Sequence, residues 1–362
     1  MRPLLPVCVA LLLMASLAQA QDMLPPDEVV MLPCDGKCAA ITPPVGIREP
    51  RPVFPKQYTY GNYSEGFVQL EFTIGADGRV GDIRTVRLLG PEAFANSAKR
   101  AVQDWLYKPA MLDGEAVAIS HPLLVYFSVI FGGQPGARPA IASAYKKASV
   151  LLADKKLEDA NAILMEALKE PKLNLYERGM ITNLTSLIAY ERKDYVAARD
   201  MLDLTRFYQG KVPPDVLRSM LRTDIAASLS AGDLAEAVIT LRALTRAKGF
   251  DPADPLIKLV ADTRTRIDLL PSFAASARIP DAADSDGFTF TPYRRNFTFT
   301  NIVGKLDRYT LSCRERQVES PIAEKVDWHV PKNWSGCHLF IRGTPGTTFD
   351  IVQMLDAKPA TP

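Results

Sequence analysis

The sharpest alternation of apolar and polar positions lies at the start of the stretch from Gly66 to Ile130. Val68, Leu70, Phe72 and Ile74 alternate with Gln69, Glu71 and Thr73, the two-residue period of a strand with one buried face. Gly75-Ala76-Asp77-Gly78 tolerates positive φ, and Val80 to Leu88 resumes an extended run, so the pair predicts a hairpin. Asp82-Ile83 breaks the alternation and predicts a bulge. Pro91 and Glu92 suit a first helical turn, and Phe94, Ala98, Ala101 or Val102, and Trp105 recur at three- and four-residue steps. That helix is expected to stop at Lys108, because the residue before Pro109 is pushed out of the helical region. After the turn Asp113-Gly114 a third strand is expected over Val117 to Val129. Val117, Ile119, Leu123, Val125 and Phe127 lie on one side of it; Leu124, Tyr126 and Ile130 give the other side some apolar character. The unit is ββαβ, a small antiparallel sheet with one helix across it.

Gly132-Gly133-Gln134-Pro135-Gly136 closes this unit, and from Pro139 to about Phe273 the period becomes helical. Three turns recur: Asp154 to Ala160, Arg192 to Ala198, and Ala231 to Ala237. Leu157 to Tyr195 is 38 residues and Tyr195 to Leu234 is 39. Tetratricopeptide repeats have a period of about 34, so the region resembles a degenerate array of that kind. First helices are expected near Ile141 to Leu152, Leu175 to Tyr190 and Asp215 to Leu229. Second helices are expected near Glu158 to Lys169, Tyr195 to Tyr208 and Leu234 to Lys248, with Leu256 to Leu270 as a cap. Ala160, Ala198 and Ala237 stand where neighbouring helices must approach closely. Such an array either binds a peptide or protein in its groove or serves as a spacer, and the pattern fits both.

An Ala-Asp-Ser stretch, 274–287, reads as a linker. Short β-rich runs separated by Gly, Pro and Asn then extend over 288–356, which predicts a small all-β domain. The expected fold class is α+β multidomain: a ββαβ domain over 58–131, a helical array over 139–273 and a C-terminal β domain.

Residues 1–20 carry Arg2, an apolar run from Val7 to Leu17 and Ala18-Gln19-Ala20, the pattern of a secretory signal cleaved after Ala20. The expected location is therefore the periplasm, with an inner-membrane anchor only if the segment stays uncleaved. Residues 21–57 are Pro-rich without periodicity and read as a linker. A hydrophobic share of 47% and a charged share of 23% describe an ordinary globular chain, and a net charge of +2 gives no ground for a nucleic-acid partner.

Of five cysteines, Cys8 lies in the leader, which leaves four in an oxidising compartment. Three connectivities are open. Cys34 and Cys38 can close a tight loop, with Cys313 and Cys337 stapling the β domain. No metal site is expected, since no His stands near Cys34, and no cofactor motif occurs.

Pro52, Phe54-Pro55, Glu65-Gly66, Val68 to Phe72, Ala76-Asp77-Gly78-Arg79-Val80, and Ala101 to Ala110 with Trp105 and Pro109, through Asp113-Gly114, together resemble the C-terminal domain of TonB energy transducers. Phe54 stands where that family has Tyr, and Leu106-Tyr107 where it has Arg-Phe. The resemblance implies strand addition: an extended segment of an outer-membrane transporter joins the sheet, backbone bonds giving affinity and side-chain pockets selectivity. Carried onto this chain, that role falls on Val117, Ile119, Leu123, Val125 and Phe127, with Phe54 and Pro55 flanking the groove. Pro122 suits an edge. The family-motif positions are Gly66, Asp77, Gly78, Trp105, Pro109, Ala110 and Gly114.

Catalytic constellations are absent. His121, His329 and His338 accompany no nucleophile elbow, metal-binding helix or phosphate loop, and structural roles are expected for them. Trp328 and Trp334 fit packing better than a sugar platform. Two functions lead, ahead of an enzyme or redox protein as the third: a periplasmic TonB-family protein tied to energy-dependent transport across the outer membrane, or an envelope scaffold acting through its helical repeats, with the ββαβ domain as a docking module. Either takes protein partners in the envelope; neither is an enzyme.

Overall fold

The computed structural model describes residues 19–21 as backbone, and 32–34, 40–58, 64–128, 136–170, 172–203, 205–208, 210–281 and 285–356. Its first unit begins with β1 (Gln19–Gln21), β2 (Ile41–Thr42), β3 (Val45–Arg48), β4 (Gly66–Ile74) and β5 (Val80–Leu89). Then come α1 (Glu92–Gln103), β6 (Leu106–Lys108), β7 (Ala110–Leu112), β8 (Glu115–Val117) and β9 (Ile119–Phe127). The main sheet has the order β1-β9-β4-β5. α1 lies on one face of it, burying Phe94, Ala98 and Val102 against Val68, Leu70, Phe72 and Val125. The Phe94 and Phe127 rings stack with centroids 4.4 Å apart.

The β4–β5 hairpin forms as its alternation predicts. Its bulge falls at Asp82-Ile83: Glu71 pairs with Arg84 and Thr73 with Gly81, so two residues face Phe72. Asp82 takes a φ of 46° to achieve this. Gly78 is required at the hairpin's end, where φ is 76° and a Cβ would sit 1.9 Å from the Tyr107 carbonyl oxygen.

Three expectations for this unit need correction. α1 ends at Gln103 rather than Lys108, because Leu106–Lys108 leaves the helix to pair with β3, and the Trp105 indole N–H donates to the Pro50 carbonyl at 2.9 Å. Trp105 fits a helical stripe and an extended segment equally well, so spacing alone could not separate them. The third strand begins at Ile119, and Val117 belongs to β8, which folds back on β7 through Asp113-Gly114. Ala118 separates the two. Part of 21–57 is structured as well: β2 pairs with β7, β3 with β6, and Lys56–Tyr58 makes a 3-10 turn. Prolines hid these pairings, since they erase the alternation that marks a strand.

The second unit comprises α2 (Pro139–Ala153), α3 (Leu157–Leu168), α4 (Leu175–Glu191), α5 (Tyr195–Leu202), α6 (Pro214–Ser230), α7 (Leu234–Arg246) and α8 (Pro255–Leu269). α5 is shorter than expected, and Thr205–Tyr208 forms a separate 3-10 turn. The three turns between paired helices share one geometry. Lys155, Lys193 and Gly232 have φ of 59°, 63° and 81°. After each, Lys156, Asp194 and Asp233 donate their N–H to the carbonyl five residues back, at 2.8, 3.0 and 2.8 Å. This is the Schellman bond that closes a helix C-terminus. Ala160, Ala198 and Ala237 are fully buried at the helix contacts. Between repeats, buried Glu177 completes a capping box with Asn174 and takes the Arg138 guanidinium at 2.8 Å, tying the starts of α2 and α4.

The third unit is a sandwich of β10 (Ser272–Arg278), β11 (Phe288–Phe290), β12 (Asn296–Val303), β13 (Leu306–Ser312), β14 (Gln317–Pro321), β15 (Trp328–His329), β16 (His338–Gly343) and β17 (Thr348–Met354). Its sheets run β10-β17-β12-β15 and β11-β16-β13-β14. The expected linker therefore shrinks: Ala274 to Arg278 pair along β17, and Ala275 and Ala277 are buried. Small side chains there read as linker in sequence, yet Ala275 and Ala277 belong to the sandwich core with Phe288, Phe349 and Ile351. Phe288, Phe297, Phe299, Phe349 and Ile351 fill the core, and Trp328 packs edge-on to Tyr309, centroids 5.1 Å apart. The α+β multidomain class stands.

Candidate functional site

The main sheet has two faces and two edges, and the chain's own architecture uses most of them. One face carries α1. The other is covered by the array and the sandwich together. Phe67 and Leu124 pack into the array's core, with the Phe67 ring edge-on to Tyr208 at 5.8 Å, and Arg87 pairs with Asp203 at 2.8 Å. Further along the same face, Glu71 and Arg84 meet the sandwich.

That meeting is a buried cluster of charged and polar side chains. The Glu71 carboxylate oxygen Oε1 accepts from Arg84 Nη2 at 2.8 Å, from the Ser312 hydroxyl at 3.1 Å and from the Ser120 hydroxyl, and lies 2.9 Å from His338 Nε2. Arg84 also donates to Thr310 at 3.2 Å and lies 4.9 Å from the centre of the Phe340 ring. Burial alone would raise the Glu71 pKa. The charges of His338 and Arg84 and the bonds from His338 and Ser120 outweigh it and hold the carboxyl well below the usual range. Sequence reading placed Glu71 among polar positions and missed it, since its partners lie up to 267 residues away.

The outer edge of β9 is the remaining feature. Gln19–Gln21 pairs antiparallel with Tyr126, Val125 and Leu124. From Ile119 to Leu123 no described strand joins that edge. Ser120 and Pro122 flank it, and Pro122 has no N–H to offer. An open cleft of ≈ 550 Å³ lies at the start of the strand, lined by Ala118, Thr73, Asp77, Arg79, Asp82 and Gln317 among others.

The predicted partner residues are distributed differently from expectation. Leu123, Val125 and Phe127 point into the unit's own core and are at most 3% exposed; Ile119 is 9% exposed. Phe54 is not a groove flank: it is 5% exposed, with its ring edge-on to Phe94 and Phe127 at 5.6 and 5.9 Å. The Pro55 carbonyl accepts from the Tyr58 N–H. Val117 sits in β8. The strand thus offers its backbone, while its inward side chains fix where that backbone lies.

The family-motif residues hold turns and contacts. A Cβ on Gly66 would lie 1.9 Å from the Leu89 carbonyl oxygen. Asp77 Oδ1 accepts from the Arg79 N–H at 3.0 Å, Pro109 joins β6 to β7, Ala110 is fully buried, and Gly114 takes a φ of 90°. Cys313 and Cys337 form a disulfide. Cys34 is also disulfide-bonded, and Cys38 lies outside the described residues.

A family model for the Gram-negative bacterial TonB protein C-terminal matches residues 50–129. Residues 50–129 are a TonB C-terminal domain. The solution NMR structure of the Pseudomonas aeruginosa TonB C-terminal domain is 25% identical, covering 25% of this chain and 90% of that one, with a TM-score of 0.23. No curated protein matches the chain. Among the described residues no helix is long and apolar enough to cross a membrane.

Proposed function

We infer that this is a periplasmic TonB-family protein that takes an extended segment of an envelope partner as an added strand on the outer edge of β9, in support of energy-dependent transport across the outer membrane. The leader is cleaved after Ala20, outer-membrane transporters are the partners, and the whole chain acts by binding rather than catalysis. What carries this reading is the Gln19–Gln21 pairing: the edge already accepts an antiparallel strand within the chain itself. Cleavage after Ala20 takes two of those three residues away and leaves the edge to another chain. An added strand gains backbone hydrogen bonds along β9.

One observation favours the second reading, a scaffold. The TonB C-terminal domain is packed against both the array and the sandwich, which makes it a fixed platform for the helical repeats.

Site-specific photo-crosslinking separates the two. A photoreactive residue at Pro122, on the edge strand, is compared in cells with one at Val150, 56% exposed on α2. Strand addition expects transporter segments to be trapped from position 122 and not from 150. Capture from 150 alone replaces it with the scaffold.

A further inference from the structure

The sandwich meets the TonB C-terminal domain through the β13–β16 ladder, through Gln317 on β14, which accepts from the Thr73 hydroxyl, and through Asp286 ahead of β11, which bonds Thr85. Thr310 pairs with Phe340 and Ser312 with His338 in that ladder, and alternate residues of a strand share a face. All four side chains therefore turn to the same side, and all four reach Arg84 or Glu71. The next position along is Cys313 with Cys337, covalently closed, with Cα atoms 4.0 Å apart. Its sulfurs turn the opposite way, into the sandwich core, where Cys313 is 5% and Cys337 1% exposed. The crosslink thus fixes the two strand ends whose adjacent residues hold the Glu71 carboxylate. That same carboxylate accepts from Ser120 on β9.

We propose that the Cys313–Cys337 disulfide is an oxidation-set latch that docks the C-terminal sandwich onto the TonB C-terminal domain. In the reduced chain the ends of β13 and β16 are joined only by noncovalent contacts, and Ser312 and His338 lose the fixed spacing that lets both reach one oxygen. Closing the latch joins the two sulfurs. The two thiols give up two electrons and two protons to an oxidant of the disulfide class, which becomes a dithiol. Once formed, the bond is shielded by the sandwich core, so dithiols reach it only when that core opens. The latch therefore closes on export and stays closed. It rests on the ladder register and the Glu71 contacts, not on strand addition at β9.

The test is amide hydrogen exchange on the full chain. Docking is read at Asp286, whose N–H donates to the Thr85 carbonyl at 2.8 Å, and at Thr85, whose N–H donates to the Asp286 carboxylate at 2.6 Å. Integrity of the sandwich is read at Phe349 and Ile351 on β17, a central strand. In C313S/C337S, exchange at Thr85 and Asp286 rises by about tenfold while Phe349 and Ile351 stay within about twofold, as expected for a local opening. In S312A/H338A, which keeps the disulfide, the same two docking amides are released. Unchanged exchange at Thr85 and Asp286 in either variant overturns the proposal. Loss of protection at Phe349 and Ile351 together with the docking amides in C313S/C337S also overturns it, and leaves the disulfide as a staple of the sandwich alone.

Discussion

Arg84 and Glu71 stand directly opposite each other on the β4–β5 hairpin, their charged atoms 2.8 Å apart and their side chains only 2% and 4% exposed. A buried pair of this kind is weak evidence of net stabilisation, but breaking it from one side leaves an uncompensated charge in a dry site. Arg84→Ala is therefore expected to cost about 3–5 kcal/mol of unfolding free energy, the range for an orphaned buried partner. Arg84→Met with Glu71→Leu is expected to cost less than Arg84→Ala alone. Urea titration monitored by near-UV circular dichroism measures both; equal losses in the two variants would refute the argument.

Acid should act through the same carboxyl. Glu71 is held below its ordinary value of 4.5 in the folded chain, so the folded state binds its proton later than the unfolded state does. Its contribution is complete above about 4.5 and is lost as pH falls from there through the folded value. Relative to Glu71→Gln, the native chain is expected to lose up to about 1.4 kcal/mol more per pH unit in that acidic window, one proton's worth. Stability curves at several pH values between neutrality and pH 3 check this. Parallel curves for the two proteins would show that Glu71 is not the linked group.

The inter-helix turns give opposite predictions at equivalent positions. Lys155 and Lys193 occupy the left-handed region with a side chain, at a cost of roughly 1–2 kcal/mol that glycine avoids. Lys155→Gly and Lys193→Gly should raise stability by about 0.5–1 kcal/mol once the extra freedom of glycine in the unfolded chain is counted. Gly232→Ala should do the reverse, because its Cβ would lie 2.0 Å from the Ala274 carbonyl oxygen on β10. Thermal unfolding of the three variants reads the sign directly.

What was legible in the sequence is what depends on near neighbours. The period of two in Val68 to Ile74, the bulge at Asp82-Ile83 and the recurring Lys155, Lys193 and Gly232 turns all follow from local backbone chemistry, and the helix starts at Leu175, Tyr195 and Leu234 match. What was hidden depends on distant partners. Ala274 to Arg278 look like a linker until β17 pairs with them, and Trp105 looks helical until Pro50 accepts its N–H. Glu71 has the pattern of a solvated position on a half-buried strand. Only folding brings Ser120, Ser312 and His338 to it, and no spacing rule spans such separations.

Phe54 shows how a motif position can matter without touching a partner. Its ring completes an aromatic cluster with Phe94 and Phe127, and Phe127 is the last residue of the edge strand. Removing the ring leaves a cavity beside β9, and Phe54→Ala is expected to cost about 3–5 kcal/mol, as for other buried Phe truncations. Phe54→Leu keeps most of the buried volume and should cost less. If the residue acts only by supporting the strand, Phe54→Leu leaves photo-crosslinking from position 122 unchanged, while Phe54→Ala weakens it in step with the fraction of folded protein. A Phe54→Leu variant that folds normally but captures nothing would instead return this side chain to the partner's groove.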